Sequence, residues 1–241
     1  MKKRSAEKFI NALIFGTLCE GSPKVDKWMS KKLASKVCDA VLLPFQVDRQ
    51  HLKNVLICMR LMDVIGLTVE GSLRQDIAKY LPELDDSAKR ANSVDTIIKS
   101  RKSFKGYSSI GLACLKWLDE EGIKSISNAV IAGKSDFINP VAGALLAKGA
   151  KLRRIRSTSR IATSTKEQAP TIAVIGNLDA ALTKKLFSVI KNSWDKPIII
   201  DLRDSPLVKR KGVRAPCMTM QDLIKKSREI SVELLTCSIK Y

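Results

Sequence analysis

The feature that most constrains the fold of this chain is a repeated change in the spacing of its apolar residues. Short runs such as 129–132, 171–175 and 198–200 are apolar at almost every position, whereas 109–121 places its apolar residues on one helical face. Continuous apolar runs are typical of parallel strands buried on both sides, and amphipathic stretches are typical of the helices that cover them. Their alternation predicts an α/β protein.

The length of 241 residues and the 45% apolar content suit two domains, each with its own core. We expect an N-terminal α/β domain over residues 1–103 and a Rossmann-like, doubly wound nucleotide-binding domain over 104–220. Residues 221–241 are predicted to form a closing helix that packs back on the N-terminal domain.

The chain is strongly basic, with 43 Lys and Arg against 24 Asp and Glu and a formal net charge of +19. The basic residues concentrate around 99–105, 151–160 and 209–214. Such a field attracts polyanions or phosphorylated ligands. Nucleic acid is therefore one alternative partner, although the sequence has no zinc finger or helix-turn-helix pattern and only 5% aromatic residues for base stacking.

The six cysteines are scattered without CxxC spacing, and His51 is the single histidine. This pattern argues against a zinc site and against a disulfide framework. We expect buried, reduced thiols in a cytoplasmic protein, with no metal cofactor. No apolar run reaches the ~18 residues that a membrane helix needs, so we expect no membrane partner.

The segment from Ala129 to Ile155 has the strand-turn-helix-strand pattern of a mononucleotide-binding unit. A helix that starts after a tight glycine turn presents free N–H groups to a phosphate, and basic residues after the second strand can pair with a 2′-phosphate. Asp136, within the turn, would repel a pyrophosphate. The candidate cofactor-binding residues are Gly133, Lys134, Ser135, Arg156 and Arg160.

Four segments in register resemble motifs of the shikimate dehydrogenase family. Residues 39–47 resemble its Y-x-P-F-x-V strand, and 66–69 resemble the start of its G-x-N-V-T-x-P-H-K segment. Residues 93–97 resemble A-V-N-T-I, and 106–111 resemble G-Y-N-T-D-G. The resemblance implies an N-terminal substrate domain and an NADP-binding domain.

Members of this family reduce 3-dehydroshikimate with NADPH in aromatic amino acid biosynthesis, using a lysine and an aspartate beside the substrate hydroxyl. The alignment places the lysine position at Arg74 and the aspartate position at Ile110. Arginine stays protonated because its pKa exceeds ~12, and isoleucine carries no charge at all. The resemblance therefore implies a chain that has lost shikimate dehydrogenase activity, a pseudoenzyme in that sense.

The family's substrate-binding positions are also altered. Its two asparagines fall on Thr68 and Asp95, and its threonine falls on Glu70. Its serine pair falls on Glu20 and Ser22, and its closing-helix glutamine falls near Ser227. The candidate substrate-pocket residues are Ser22, Thr68, Glu70, Arg74, Asp95 and Ser227.

Three functions remain open from the sequence. The first is a noncatalytic relative that binds a small acid or a nucleotide, or a protein partner, in a regulatory role. The second is an active NAD(P)-dependent oxidoreductase on another substrate, with Glu20, Glu70 or Asp95 as acid or base. In its favour, Gly133–Ser135 followed by Pro140 also resembles the turn of folate-interconverting dehydrogenases. The third is a basic nucleic-acid-binding protein.

Overall fold

The computed structural model of the chain describes residues 13–22, 24–37, 39–100, 103–155, 171–193, 197–204, 206, 216–237 and 239, with the side chains of 191–193 excepted. Contacts divide the chain into two compact units. One comprises Met1–Ser109 with Arg228–Tyr241, and the other comprises Ile110–Ser227. The unit boundaries thus lie after residues 109 and 227, a few residues beyond the 103 and 220 expected from the sequence.

The described helices and strands alternate, as expected of an α/β protein, although the helix Ala180–Ser193 and the strands Glu83–Leu84 and Cys217–Thr219 were not predicted. They are β1 Leu13–Cys19, α1 Lys27–Lys36, β2 Ala40–Gln46, α2 Leu52–Leu61, β3 Val64–Val69, α3 Leu73–Ile77, β4 Glu83–Leu84, α4 Asp86–Ala91, β5 Thr96–Ser100, β6 Ser103–Tyr107, α5 Ser109–Glu120, β7 Asn128–Ala132, α6 Ile138–Ala147, β8 Lys151–Ile155, β9 Ile172–Ile175, α7 Ala180–Ser193, β10 Ile198–Asp201, β11 Cys217–Thr219 and α8 Met220–Cys237.

The first unit contains a mixed sheet with the strand order β2-β1-β3-β5-β6-β4. Strand β1 runs parallel to both β2 and β3, and β5 and β6 form an antiparallel hairpin beside β3. Asp48 directly precedes the amphipathic stretch 49–59, which predicts that Asp48 caps α2, and this prediction is wrong. A 3-10 turn over Arg49–His51 precedes the helix, and the Asp48 side chain makes no capping hydrogen bond.

Helices cover both faces of this sheet. On one face, Leu52 and Met59 of α2 pack with Leu67 of β3. On the other, Leu33 of α1 and Leu235 of α8 belong to one buried cluster, so the end of the closing helix packs on the first unit. Burying such side chains contributes roughly 1.5–3 kcal/mol each, which fixes which face every strand presents to its helices.

The second unit contains a parallel sheet with the strand order β11-β10-β9-β7-β8. Its strands are buried, as Ile172–Ile175 illustrates, because helices α6 and α7 connect neighbouring strands over the faces of the sheet. Parallel strands joined by helices form the Rossmann-like architecture predicted for this part of the chain.

The cysteines of the described residues are free thiols. Cys19 and Cys114 are buried as expected, but the expectation is wrong for Cys58 and Cys237, which are exposed. Cys58 is an exposed residue of α2, and Cys237 is the last residue of α8. Within the described part of the chain, no helix combines the length and the apolar character that crossing a bilayer requires.

Candidate functional site

In the first unit, the carboxyl ends of β1 and β3 bring polar residues to one edge of the sheet. Because these parallel strands are in register, Glu20 and Glu70 follow them at the same edge. Just inside this edge, the hydroxyls of Thr17 and Thr68 lie 2.9 Å apart. Thr68 and Glu70, predicted as substrate-pocket residues, therefore share an edge with Glu20.

Glu20 forms the densest set of polar contacts at this edge. The Nε of Arg49 donates to its Oε1 at 2.5 Å, and the hydroxyl of Ser72 donates to its Oε2. These hydrogen bonds from Arg49 and Ser72 lower the pKa of the Glu20 carboxyl, which is therefore charged at neutral pH. The sequence analysis did not find Arg49 or Ser72, since they lie 29 and 52 residues from Glu20 and belong to no motif.

Arg74 is anchored to the backbone of the same edge. Its Nε donates to the carbonyl oxygen of Val69 at 3.0 Å, and its own carbonyl accepts from the N–H of Val94 at 2.8 Å. The guanidinium is thus a positive charge anchored at this edge, at the predicted position of the family's lysine. Arginine is a poor proton donor or acceptor, so it does not replace a lysine in proton transfer.

Asp95 is buried and bound to the start of α5. Its Oδ1 accepts from the backbone nitrogen of Ser109 at 2.7 Å, from the Ser109 hydroxyl at 2.5 Å and from the Thr96 hydroxyl at 3.1 Å. The Ser231 hydroxyl of α8 completes the cluster through Thr96 and Ser109. These contacts give Asp95 a structural role, although the sequence analysis placed it in the substrate pocket.

Two further predicted substrate-pocket residues are Ser22 and Ser227. Ser22 is exposed beyond the end of β1, and Ser227 of α8 is buried. Ile110, predicted at the family's aspartate position, lies in the first turn of α5 and is only 2% exposed.

In the second unit, a cavity of about 590 Å³ opens beside the carboxyl ends of β7, β8 and β9. Gly133, Lys134 and Arg154 line it, and the last two are exposed cations. A cavity at strand ends with two cations beside it suits a phosphorylated ligand. The predicted contacts from Arg156 and Arg160 lie outside the described residues.

The turn after β7 is held against the loop after β9. The N–H of Lys134 donates to the Asn177 carbonyl at 3.0 Å, and the N–H of Asn177 donates to the Lys134 carbonyl at 2.8 Å. Gly133 has φ of 90°, and a Cβ there would lie 2.7 Å from the Asn177 oxygen. The hydroxyl of Ser135 accepts from the N–H of Phe137 at 3.3 Å. Two N–H groups of the turn are thus used within the protein.

These residues fit a nucleotide phosphate held by side-chain cations better than a pyrophosphate held by the turn. Lys134 and Arg154 supply positive charge at the cavity, whereas exposed Asp136 opposes a second phosphate. No group of three or more His, Cys, Asp or Glu residues in the described part of the chain could hold a metal ion.

Comparison with known sequences identifies the chain's relatives. No model of a known protein family matches it. It is 30% identical over 111 residues to a shikimate dehydrogenase (NADP(+)) of Streptococcus gordonii and 33% identical over 114 residues to one of Alkaliphilus metalliredigens. These matches cover 46% and 47% of the chain, and 39% and 40% of the relatives. A third, from Methanococcus vannielii, is 25% identical over 191 residues, covering 75% of the chain and 66% of the relative.

Solved structures show the same fold. A chorismate mutase/shikimate 5-dehydrogenase fusion protein of Clostridium acetobutylicum matches with a TM-score of 0.70 at 15% identity, covering 96% of this chain and 98% of that one. The shikimate 5-dehydrogenase of Thermus thermophilus, in complex with NADP(H) and shikimate, matches with a TM-score of 0.66 at 17% identity, covering 93% and 94%. The chain thus resembles shikimate dehydrogenases in sequence and in fold.

The curated relatives are named as NADP(+) enzymes, and the identity to them and to the solved structures is low throughout. The chain spans about two fifths of the length of the first two curated relatives that it matches. The placement of Arg74 and Ile110 at the positions of the lysine and the aspartate stays a prediction from the motifs.

Proposed function

We propose that this shikimate dehydrogenase-like chain binds a nucleotide through its second unit and does not reduce 3-dehydroshikimate. The observation that carries the proposal is Ile110, an apolar side chain with 2% exposure at the position of the aspartate. A buried isoleucine can neither orient a hydroxyl nor take up a proton, and no shift of one residue replaces it, because Gly106 and Gly111 bracket the motif.

Two features of the first unit support the loss of the reaction. The guanidinium of Arg74 is bonded to Val69 and stays protonated, so it cannot replace a lysine in proton transfer. A carboxylate is an acceptor only, and Glu20, at the predicted position of a family serine, also occupies the Ser72 hydroxyl and the Nε of Arg49. Since a carboxylate substrate needs donors at such a position, this edge of the sheet disfavours shikimate.

Nucleotide binding rests on the cavity beside β7, β8 and β9. Lys134 and Arg154 can pair with a phosphate there, whereas the turn itself offers fewer free N–H groups because Lys134 is paired with Asn177. NADP, when bound, would supply hydride chemistry to the family's reaction. This chain's residues favour its adenosine-phosphate part, which is shared with smaller nucleotides.

The proposal is tested by pairing an activity assay with a binding measurement. Incubation with shikimate and NADP⁺ is expected to give no turnover, and a rate near the ~10 s⁻¹ typical of enzymes would overturn the loss of activity. By calorimetry, 2′,5′-ADP and NADP⁺ are expected to bind with affinities within about fivefold of each other. If neither 2′,5′-ADP nor NADP⁺ binds, nucleotide binding, the first half of the proposal, is overturned.

Two variants locate the nucleotide. Lys134→Ala and Arg154→Ala are each expected to weaken 2′,5′-ADP about tenfold, as removal of a charge-assisted hydrogen bond does. Lys151→Ala is the matched control, because Lys151 is an exposed cation at the start of the same strand as Arg154 and does not line the cavity. Equal losses in all three variants would indicate attraction by the overall charge instead.

A second candidate is an active oxidoreductase on another substrate, favoured by the charged Glu20 with the Ser72 hydroxyl beside it. Glu20 is ionised and is therefore able to accept a proton, although its lowered pKa makes it a weak general base. This function requires the whole dinucleotide, so NADP⁺ should then bind far more tightly than 2′,5′-ADP. The calorimetric comparison described above therefore separates the two candidates.

A further inference from the structure

The first unit contains a cavity of about 360 Å³ that adjoins the sheet edge carrying Glu20, since the Gln46 side chain that lines it donates to the Glu20 carbonyl at 3.5 Å. It lies between α2 and strands β1, β2 and β3. The floor is formed by side chains of the sheet such as Leu18, Phe45 and Leu67, and the wall by Met59 and Met62 of α2. Its volume falls in the range of ~300–1,000 Å³ that small-molecule sites occupy.

The polar residues of this cavity are grouped. Gln46, Asp48, His51 and Asn54 come from the end of β2 and the start of α2, while the rest of the lining is almost entirely apolar. A site with an apolar body and a polar end matches an amphiphilic ligand, whose ring or short hydrocarbon chain lies against the sheet and whose head group meets the polar residues.

The charges of the residues that line the cavity determine which ligand head group it favours. In a chain with a net charge of +19, no Lys or Arg lines this cavity, and Asp48 is the carboxylate at its polar end. Among the ion pairs and side-chain hydrogen bonds of the described residues, none involves the Asp48 carboxylate. A cation therefore meets the negative charge of Asp48 here, whereas an anion is repelled by it and finds only the imidazole of His51, with no Lys or Arg, among the lining residues.

The methionine side chains in the wall of the cavity can adapt their shape to a bound ligand. Met59 and Met62 have unbranched thioether side chains that adapt to different shapes, and Met62 is 46% exposed. The thiol of Cys58 lines the same cavity and is exposed. We infer that the cavity between α2 and the first sheet binds a small aromatic or aliphatic cation, an amidine or amine with a compact apolar body.

This inference is independent of the proposed nucleotide site, which belongs to the other unit. It is tested with three probes of one shape, namely benzamidine, benzamide and benzoate, which are cationic, neutral and anionic. Binding is followed on the whole chain by NMR and by alkylation of Cys58 with iodoacetamide. We expect benzamidine to slow alkylation of Cys58 in proportion to its occupancy, benzamide to do so more weakly, and benzoate to have no effect.

Cys237 is the internal reference in the same sample, because it is exposed at the end of α8 and does not line the cavity. Slower alkylation of both thiols would mean that the probe consumes reagent, and would overturn the inference. Protection of Cys58 that grows with protein concentration and not with benzamidine would show that a second copy covers this face of α2, which also overturns it.

Two variants complete the test. Asp48→Asn keeps the shape of the cavity and removes its charge, so it should weaken benzamidine about fivefold and leave benzamide unchanged. Asp86→Asn, on the exposed face of α4, is the matched control and should change neither. Val55→Trp should fill the cavity and abolish binding of both probes. Equal affinity for benzamidine and benzoate in the unaltered chain would overturn the inference even if Val55→Trp fails to fold.

Discussion

The Oδ1 of Asp95 lies 2.7 Å from the backbone nitrogen of Ser109, the first residue of α5. The carboxylate therefore satisfies an N–H group that the helix leaves without a partner at its start, and its negative charge faces the positive end of the helix dipole. A position that the family motif assigns to substrate binding supports the beginning of a helix in this chain.

Removing this carboxylate should destabilise the protein. Asp95→Ala leaves the N–H of Ser109 buried without this acceptor, so we expect the free energy of unfolding to fall by about 1–3 kcal/mol. Asp95→Asn keeps an oxygen acceptor and should cost less. Urea unfolding measures both, with Asp86→Ala as an exposed control. Unfolding of Asp95→Ala at the same urea concentration as the unaltered chain would contradict the role of the hydrogen bond.

Restoring the family's aspartate at position 110 should not restore its chemistry. Ile110→Asp places a charge where the side chain is 2% exposed, so it should destabilise the protein more than the ~0.5–1.5 kcal/mol expected for Ile110→Val. No turnover of shikimate is expected from either variant, because Arg74 remains. Thermal unfolding and the shikimate assay test this prediction; an active and stable Ile110→Asp would refute it.

Gly133→Ala should be more damaging than Gly149→Ala. Both glycines have positive φ, 90° and 85°, so both substitutions incur the ~1–2 kcal/mol cost of that conformation. Only at Gly133 would the new Cβ also lie 2.7 Å from a backbone oxygen, that of Asn177. Urea unfolding should show the larger loss of stability for Gly133→Ala. Equal losses for the two variants would mean that the turn at Gly133 moves away from the loop at Asn177 at little cost.

The hydrogen bonds of Glu20 should make the stability of the protein depend on pH in the acidic range. Hydrogen bonds from Arg49 and Ser72 lower the pKa of Glu20 below its usual 4.5. Its contribution is therefore present above pH 4.5 and is lost as the pH falls through the lowered pKa. The difference in Tm between the unaltered chain and Glu20→Gln should shrink below pH 4.5. Glu121→Gln, exposed after α5, should show no such trend.

The buried thiol of Cys114 should resist alkylation. Burial disfavours the thiolate and raises the pKa of Cys114 to about 12. At pH 8.5 we expect iodoacetamide to modify Cys58 and Cys237 in the folded protein and to leave Cys114 unmodified until urea unfolds it. Peptide mass spectrometry measures all three, and rapid native labelling of Cys114 would contradict its burial.

Much of the architecture could be predicted because it is encoded in local spacing. The apolar runs at 129–132 and 172–175 became buried parallel strands, and the amphipathic stretch after residue 109 became α5. The capping of α2 by Asp48 could not be predicted reliably, since a short 3-10 turn changes which residue precedes the first helical turn. Such end effects depend on how the preceding loop packs.

The sequence by itself determined the α/β class and many of its strands and helices, and it predicts Arg74 and Ile110 at two motif positions. Periodicity and motif spacing are properties of neighbouring residues, and a chain displays them before it folds. These features suffice for the family resemblance and for the expectation that shikimate chemistry is lost.

Only the tertiary structure decided the partners of the polar residues. Glu20 meets Arg49 across 29 residues, and Asp95 meets Ser231 of the closing helix through Thr96 and Ser109. Each contact needs two segments distant in sequence to be brought together by the packing of apolar side chains elsewhere. Hydrogen bonds act over about 3 Å, so their partners follow from the fold and not from the spacing of residues along the chain.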